Sequence, residues 1–467
     1  MSGLSGRKAV SVSLLGVVCA FAISREFGLN TGLAPVAGTA LLLWAGLEWR
    51  GMALIAKVTF GAGLALGAAI ALTGGMTAEI LELAVGRSAF FTFFLMSMDI
   101  LRTAAMSSKM VLDSGRMIVT QPPGRRYAMI TIGGHLFAIL LNLGAITLLG
   151  TMNRRSIEAS RGQEEDSILD IRLKRMTLAL VRGFTAFTMW SPTAVTMIVL
   201  LSAIPGFDWY QFAPIGFASI VFYLSFGWLF DRLSYPRRQT SSTPQPLVKV
   251  LKTFVPMSSL TVVILSSAVL FSWLSGIRLV AALFICVPMF GIGWITVQYS
   301  RAGPKTALAL TNRRLLQKIL PDLTTMRSEV AILSAAGFIA ALLPYQINTQ
   351  ELGQFIAGLG LTEGWLLVAL MWFVALTAPL GLNPIISVAV SVEVLSRLSG
   401  FHFNPYLLIL SGTVAWGLAT GSSPLGATIR IAGRTINRSP GEIGLVWNRP
   451  FCVAILLISS ALQLLLN

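Results

Sequence analysis

The sequence predicts an all-α polytopic membrane protein, with about eleven transmembrane helices and two opposed re-entrant hairpins. Three observations predict it. The 467 residues are 55% hydrophobic and only 12% charged, and the mean hydropathy is +0.77, too apolar for a soluble multidomain chain. Apolar runs recur along the whole length. One polar interruption of such a run occurs twice, as Ser191-Pro192-Thr193-Ala194-Val195-Thr196 and as Ser423-Pro424-Leu425-Gly426-Ala427-Thr428.

The apolar runs fall at about 9–24, 29–47, 52–74, 88–106, 127–150, 176–204, 211–231, 254–275, 279–299, 328–344, 364–396, 404–434 and 447–467. The first follows Arg7-Lys8 and resembles a signal peptide, but a second run follows at once without a small-residue cleavage site, so an uncleaved helix is expected. Charge decides which runs cross. If all crossed from a cytoplasmic N-terminus, the basic segments 151–175, 232–252 (with Arg237 and Arg238) and 300–327 would lie outside, against the positive-inside rule.

Suppose instead that 127–150 is a hairpin entering from the cytoplasmic side and 364–396 one entering from the opposite side. Then only Arg25, Arg87, Arg278 and Arg397 of the 35 basic residues fall outside, and the outer loops carry Glu79, Glu82, Asp208, Glu351 and Glu363. The N-terminus is then cytoplasmic and the C-terminus periplasmic, in a bacterial inner membrane. The competing arrangement keeps 127–150 as a span and makes 176–204 the hairpin.

In the first arrangement, 1–27 is an extra transmembrane helix. Residues 28–238 form a first repeat, with a hairpin at about 127–150 and a broken helix at about 176–204. Residues 239–467 form a second, with a hairpin at about 364–396 and a broken helix at about 404–434. An odd number of crossings in each makes the two repeats inverted, and paired interruptions in corresponding places point to a transporter's binding site. The charged stretch 151–175 reads as a short helix on the membrane surface, with the 349–362 stretch as its counterpart.

The breaks matter because hydrocarbon offers no partners to free backbone groups. Proline removes a donor and clashes with the preceding turn. A break survives only beside protein or a water-filled cavity, where freed N–H groups favour anions and freed carbonyls favour cations. The candidate site residues are therefore Asn142, Ser191, Pro192 and Thr193 from the first half and Asn383, Ser422, Ser423, Thr428 and Arg430 from the second. Each has a structural alternative. Ser191, Pro192 and Thr193 also suit a proline kink with hydroxyls bonded back to the preceding turn. Asn142 and Asn383 also suit amides bridging helices, and Arg430 suits either a bidentate oxyanion contact or a topology-setting arginine beside Arg434 and Arg438. Asp99 and Arg102 are expected to pair on one helix face, and Arg182 to anchor the start of its helix.

Met189-Trp190-Ser191-Pro192-Thr193 is similar to the Met-Trp-Ser-Asn-Thr stretch of divalent-anion/sodium symporters, with Pro in place of Asn. Gly421-Ser422-Ser423-Pro424-Leu425-Gly426-Ala427 resembles their second broken-helix stretch. The layout thus resembles the ion-transporter superfamily and, more distantly, the large subunits of tripartite solute permeases. That resemblance implies secondary active transport of a small anionic solute such as a carboxylate by alternating access, coupled to sodium ions or protons, and a homodimer. A permease subunit fed by a binding protein is the alternative within transport.

A membrane-embedded enzyme acting on glycans or lipids is the competing class. Such chemistry calls for clustered acids, histidines or metal ligands. His135 and His402 are too few for a metal site, and Cys19, Cys286 and Cys452 read as small core residues, so neither an enzyme nor a metal or other cofactor is expected. The net charge of +16 is spread through short loops and reflects topology and lipid headgroups, with no nucleic-acid partner.

Overall fold

The computed structural model describes residues 6–29, 32–162, 164–235 and 246–467. The protein is an all-α polytopic membrane protein. Among the described residues, nine helical stretches are long and apolar enough to cross a membrane. The basic pair Arg237 and Arg238 lies outside the described residues.

The chain divides into two compact units, each assembled from two separated segments: 1–104 with 264–352, and 105–263 with 353–467. The first unit contains α1 (Gly6–Glu26), α2 (Ala34–Glu48), α3 (Leu54–Leu72) and nearly all of α4 (Ala78–Met106). The second takes up α5 (Lys109–Val119), α6 (Pro123–Leu141), α7 (Gly144–Glu158), α8 (Asp166–Thr188), α9 (Val195–Ala203) and α10 (Trp209–Ser234). Helix α11 (Leu247–Ser275) leads back to the first, which continues with α12 (Leu279–Gln298), α13 (Pro304–Arg314), a π-helical turn at Leu315–Ile319, the one-turn α14 (Leu320–Asp322) and α15 (Arg327–Leu342). After α16 (Thr349–Gly358), the second unit closes with α17 (Glu363–Thr377), α18 (Pro384–Leu395), α19 (Pro405–Ser422), α20 (Ala427–Ile436) and α21 (Arg449–Leu466).

Small residues let the helices of the first unit approach closely, as expected where lipid supplies no hydrophobic drive between them. Gly63 and Gly67 of α3 face Ala335, Phe338 and Ile339 of α15, and Ser88 Oγ of α4 donates to the Ser334 carbonyl at 2.9 Å. Asp99 pairs with Arg102 at 3.1 Å, as their spacing predicts. Buried Glu48 holds Arg327 at 3.3 Å.

Three expectations change in detail. The run 29–47 forms only the 15-residue α2, continued by a 3-10 turn to Gly51. Residues 151–175 form no separate surface helix. Their first part extends α7 to Glu158, and α8 starts at Asp166 and runs unbroken to Thr188. The i, i+4 pair Arg154–Glu158 (2.7 Å) and the Arg172–Glu164 pair (3.2 Å) satisfy their charges along and between these continuous helices. Finally, Arg182 lies well inside α8 and is 2% exposed, so it does not anchor a helix start.

Helix starts in the second unit follow from local chemistry. Asn383-Pro384 opens α18 and Asn404-Pro405 opens α19; each Asn side chain accepts from the backbone N–H two residues on, at 3.0 Å. Proline at the first helical position lacks an N–H that would be unbonded there anyway.

Candidate functional site

Both broken helices and both hairpins belong to the second unit. The two breaks have the same backbone. In the first, Ser191 N–H still donates to the Phe187 carbonyl (3.2 Å) and Ala194 N–H donates to Ser191 O (3.0 Å). In the second, Ser423 N–H donates to Ala419 O (2.9 Å) and Gly426 N–H to Ser423 O (3.0 Å). Pro192 and Pro424 occupy the same position in the two turns. The residue before each second segment is extended, Ala194 at φ −88°, ψ 138° and Gly426 at φ −67°, ψ 143°. Thr196 and Thr428 are then each the second residue of the following helix, and both are buried.

Each break is also tied to the tip of the hairpin that precedes it. Thr193 Oγ1, which shares a 2.9 Å hydrogen bond with Ser191 Oγ, reaches the Ile139 carbonyl in the last turn of α6 at 3.4 Å. Ser423 Oγ donates to the Ala378 carbonyl, just beyond α17, at 2.8 Å. Elsewhere the pairing crosses over: α7 packs on α20 and α18 packs on α9, so each hairpin's second arm meets the other half's broken helix. Gly150 of α7 admits Thr435 of α20, and Ser396 Oγ after α18 donates to Ala203 O of α9 at 3.3 Å. Helices α8 and α19 run antiparallel, with Thr185 against Gly421 and Met189 against Gly417.

The hairpin tips differ in one informative respect. The second tip turns through Gly381 at φ 109°, a conformation glycine adopts freely. The first turns through Asn142 at φ 49°, ψ −132°, outside the small left-handed region open to asparagine. A side chain in such a conformation costs about 1–3 kcal/mol and persists where the surroundings over-determine it, often at functional sites. The Asn142 side-chain amide is half-buried and makes no hydrogen bond among the described residues, while its backbone N–H still donates to Ala138 O at 2.9 Å. Replacing Asn142 with glycine is therefore expected to raise the thermal midpoint, with a gain of about 1 kcal/mol from relief of strain. The same change should weaken any ligand that uses the amide, a combination that thermal unfolding with and without ligand would read out.

The structure brings Ser191, Pro192 and Thr193 together with the tip carrying Asn142. It brings Ser422 and Ser423 together with the tip carrying Asn383, where Gly381 faces Leu425. Asn383 caps α18 and Ser422 Oγ bonds back to Leu418 O at 2.6 Å, so both carry structural bonds. Arg430 stands apart. It is exposed and, with Arg434, Asn437 and Arg438, lines an open concavity of about 430 Å³ at the far end of α20.

Three features were not legible beforehand. Thr196 Oγ1 is buried without a partner among the described residues, at the position matching Thr428; the shared Ser-Pro-x-x-x-Thr spacing was the signal that would have found it. Arg182, in α8, donates to Tyr127 OH (2.9 Å), Asn448 Oδ1 (3.0 Å) and Gly227 O (3.4 Å), and its guanidinium lies over the Phe451 ring at 4.0 Å. Asn448 Nδ2 in turn donates to the Gly421 carbonyl, two residues before the second break, at 2.9 Å. Third, Trp190, beside Ser191, donates through Nε1 to His135 Nε2 of α6 at 3.2 Å. Such buried polar groups inside a membrane protein are expensive and mark function by default.

No family model matches the chain, and no curated protein matches it. Among solved structures it is similar to the YdaH transporter of Alcanivorax borkumensis, with 14% sequence identity over 88% of this chain and 96% of that one and a TM-score of 0.50. At that identity the likeness is one of fold.

Proposed function

We propose that the protein is a secondary active transporter of a small anionic solute, a carboxylate or similar oxyanion, working by alternating access. The observation that carries this reading is the pair of matching Ser-Pro breaks, each bonded to its own hairpin tip within one compact unit. The fold likeness to a transporter supports it. Interrupted helices with uncapped backbone groups are the membrane-protein form of a solute and ion site. The fixed charge of Arg182, bonded to neutral partners, and the N-termini of α9, α18 and α20 favour a negatively charged solute.

The solute would contact Asn142, Ser191 and Thr193 from one half and Asn383, Ser423 and Thr428 from the other. The two halves would act as inverted repeats, with sodium ions or protons as the driving ion. The N-terminus would be cytoplasmic, and a cysteine placed within 156–166 should react with impermeant thiol reagents from the cytoplasmic side only. Labelling from outside would overturn the inverted arrangement.

The test of function is thermal stability of the purified protein against carboxylates and inorganic oxyanions, each with sodium or potassium. A ligand that binds only the native state stabilises it by RT ln(1 + [L]/Kd), about 2.7 kcal/mol at a hundredfold excess over Kd. An anion-specific rise in midpoint is expected. No rise with any anion would reject an anionic solute for the unaided protein.

A further inference from the structure

We propose that His135 is the proton-binding residue of this site, and that protonation at Nε2 releases Trp190 and with it the first helix break. The inference rests on the transport reading and names its coupling ion. The chain has two histidines. His402 is exposed in the loop between α18 and α19, whereas His135 is 6% exposed and lies in the first hairpin arm, seven residues before Asn142. It is therefore the one buried side chain of the unit whose ordinary titration falls between pH 5 and 8.

The hydrogen-bond pattern makes protonation mechanically consequential. Trp190 Nε1 is only a donor, so the 3.2 Å contact requires a lone pair on His135 Nε2. The proton of neutral His135 is then on Nδ1, which is buried and forms no hydrogen bond among the described residues. A proton arriving from water forms an N–H bond at Nε2 and sets two donors against one another. The Trp190 bond is lost.

Trp190 holds the break in place on three sides. Its ring lies nearly coplanar with His135, at 21°, as the edge-to-edge bond requires; it packs against Trp209 and Phe217, and its carbonyl accepts from Trp209 Nε1 at 2.7 Å. Its chain neighbour is Ser191. Displacing the indole therefore moves the residue that begins the break, while deprotonation restores the acceptor and the closed arrangement.

The charged and titratable groups around α6 leave this role to His135. Helix α8 brings Arg182 and α6 itself brings Tyr127, which bond each other; α6 also carries Arg125 and Arg126 in its first turn, and α10 brings Tyr223 and the buried Asp231, which pairs with Arg175 of α8 at 2.7 Å. On α5, Asp113 pairs with Arg116, and on α7, Arg154 pairs with Glu158, all four exposed in the outer turns; Lys109 and Arg155 are exposed too. None of these groups hydrogen-bonds His135 among the described residues.

The experiment is fluorine NMR of the full-length protein labelled with 5-fluorotryptophan in lipid nanodiscs, between pH 4 and 8, with the Trp190 signal assigned from Trp190→Phe. The expected result is a single reversible titration of the Trp190 signal, with the signal of buried Trp44 unmoved. In His135→Gln the titration should vanish, because a glutamine oxygen accepts from the indole but takes up no proton in this range. A Trp190 signal that does not change with pH in the wild-type protein overturns the proposal, as does an unaltered titration in His135→Gln. Should that variant not fold, the wild-type comparison of Trp190 with Trp44 decides alone. The experiment needs no transported solute, so its failure would leave the transport reading standing, and failure of the anion panel would leave the proton site standing.

Discussion

Gly183→Ala is expected to destabilise the protein by about 3 kcal/mol, at the upper end of what overpacking a close-packed interior costs. A methyl carbon built at Gly183 would stand 2.2 Å from the Thr131 carbonyl oxygen and 3.1 Å from His135 N. Both neighbours are backbone atoms of α6, so no rotamer change relieves the contact, and the two helices must move apart. The same crossing carries His135 and leads to the first break, so ligand response should fall together with stability. Gly46→Ala is the control. It lies within α2 with open space beside it, and there the substitution should be neutral or stabilise by up to about 1 kcal/mol. Denaturant midpoints of the two variants in one detergent would check the contrast, and equal midpoints would refute it.

Asn448→Ala carries the second large expected effect. It removes the acceptor of Arg182 Nε and the donor to Gly421 O in one step. A hydrogen bond to a charged group contributes about 1.5–3 kcal/mol, and a buried group left unpaired costs about 1–3 kcal/mol. A loss of roughly 3 kcal/mol is expected once partial relaxation is allowed. The sign is secure because the guanidinium stays buried after the mutation. Asn448→Asp separates the two bonds: it keeps an acceptor for Arg182 but cannot donate to Gly421. It should recover much of the stability while leaving the second break loosened, measurable as faster amide exchange at 421–426 without a matching global loss. Equal exchange in both variants and the wild type would show that Asn448 does not position the break.

The features legible in the sequence were those written locally in the chain. Proline chemistry placed the breaks at Ser191-Pro192 and Ser423-Pro424, and the structure interrupts α8/α9 and α19/α20 at those residues. The apolar runs at 127–150 and 364–396 fold as helix–turn–helix segments with Asn142 and Asn383 at their turns. Arg182 lies inside α8 and not at a helix start because α8 begins within the polar stretch, at Asp166, where ion pairs such as Arg175–Asp231 satisfy its charges. Arg430 was legible as a charge near the break, yet the helical turn of α20 carries it away to an open concavity.

By itself, then, the sequence determined the membrane class, the helical runs and the doubled break, because hydrophobicity and proline act over a few residues. Tertiary structure decided which faces meet. Helices apolar all around carry no mark of their buried side. The Arg182–Asn448 bond spans 266 positions, and the Trp190–His135 bond joins α6 to the turn after α8. The strained turn at Asn142 is likewise held by packing, since nothing in the local preference of asparagine selects φ 49° with ψ −132°.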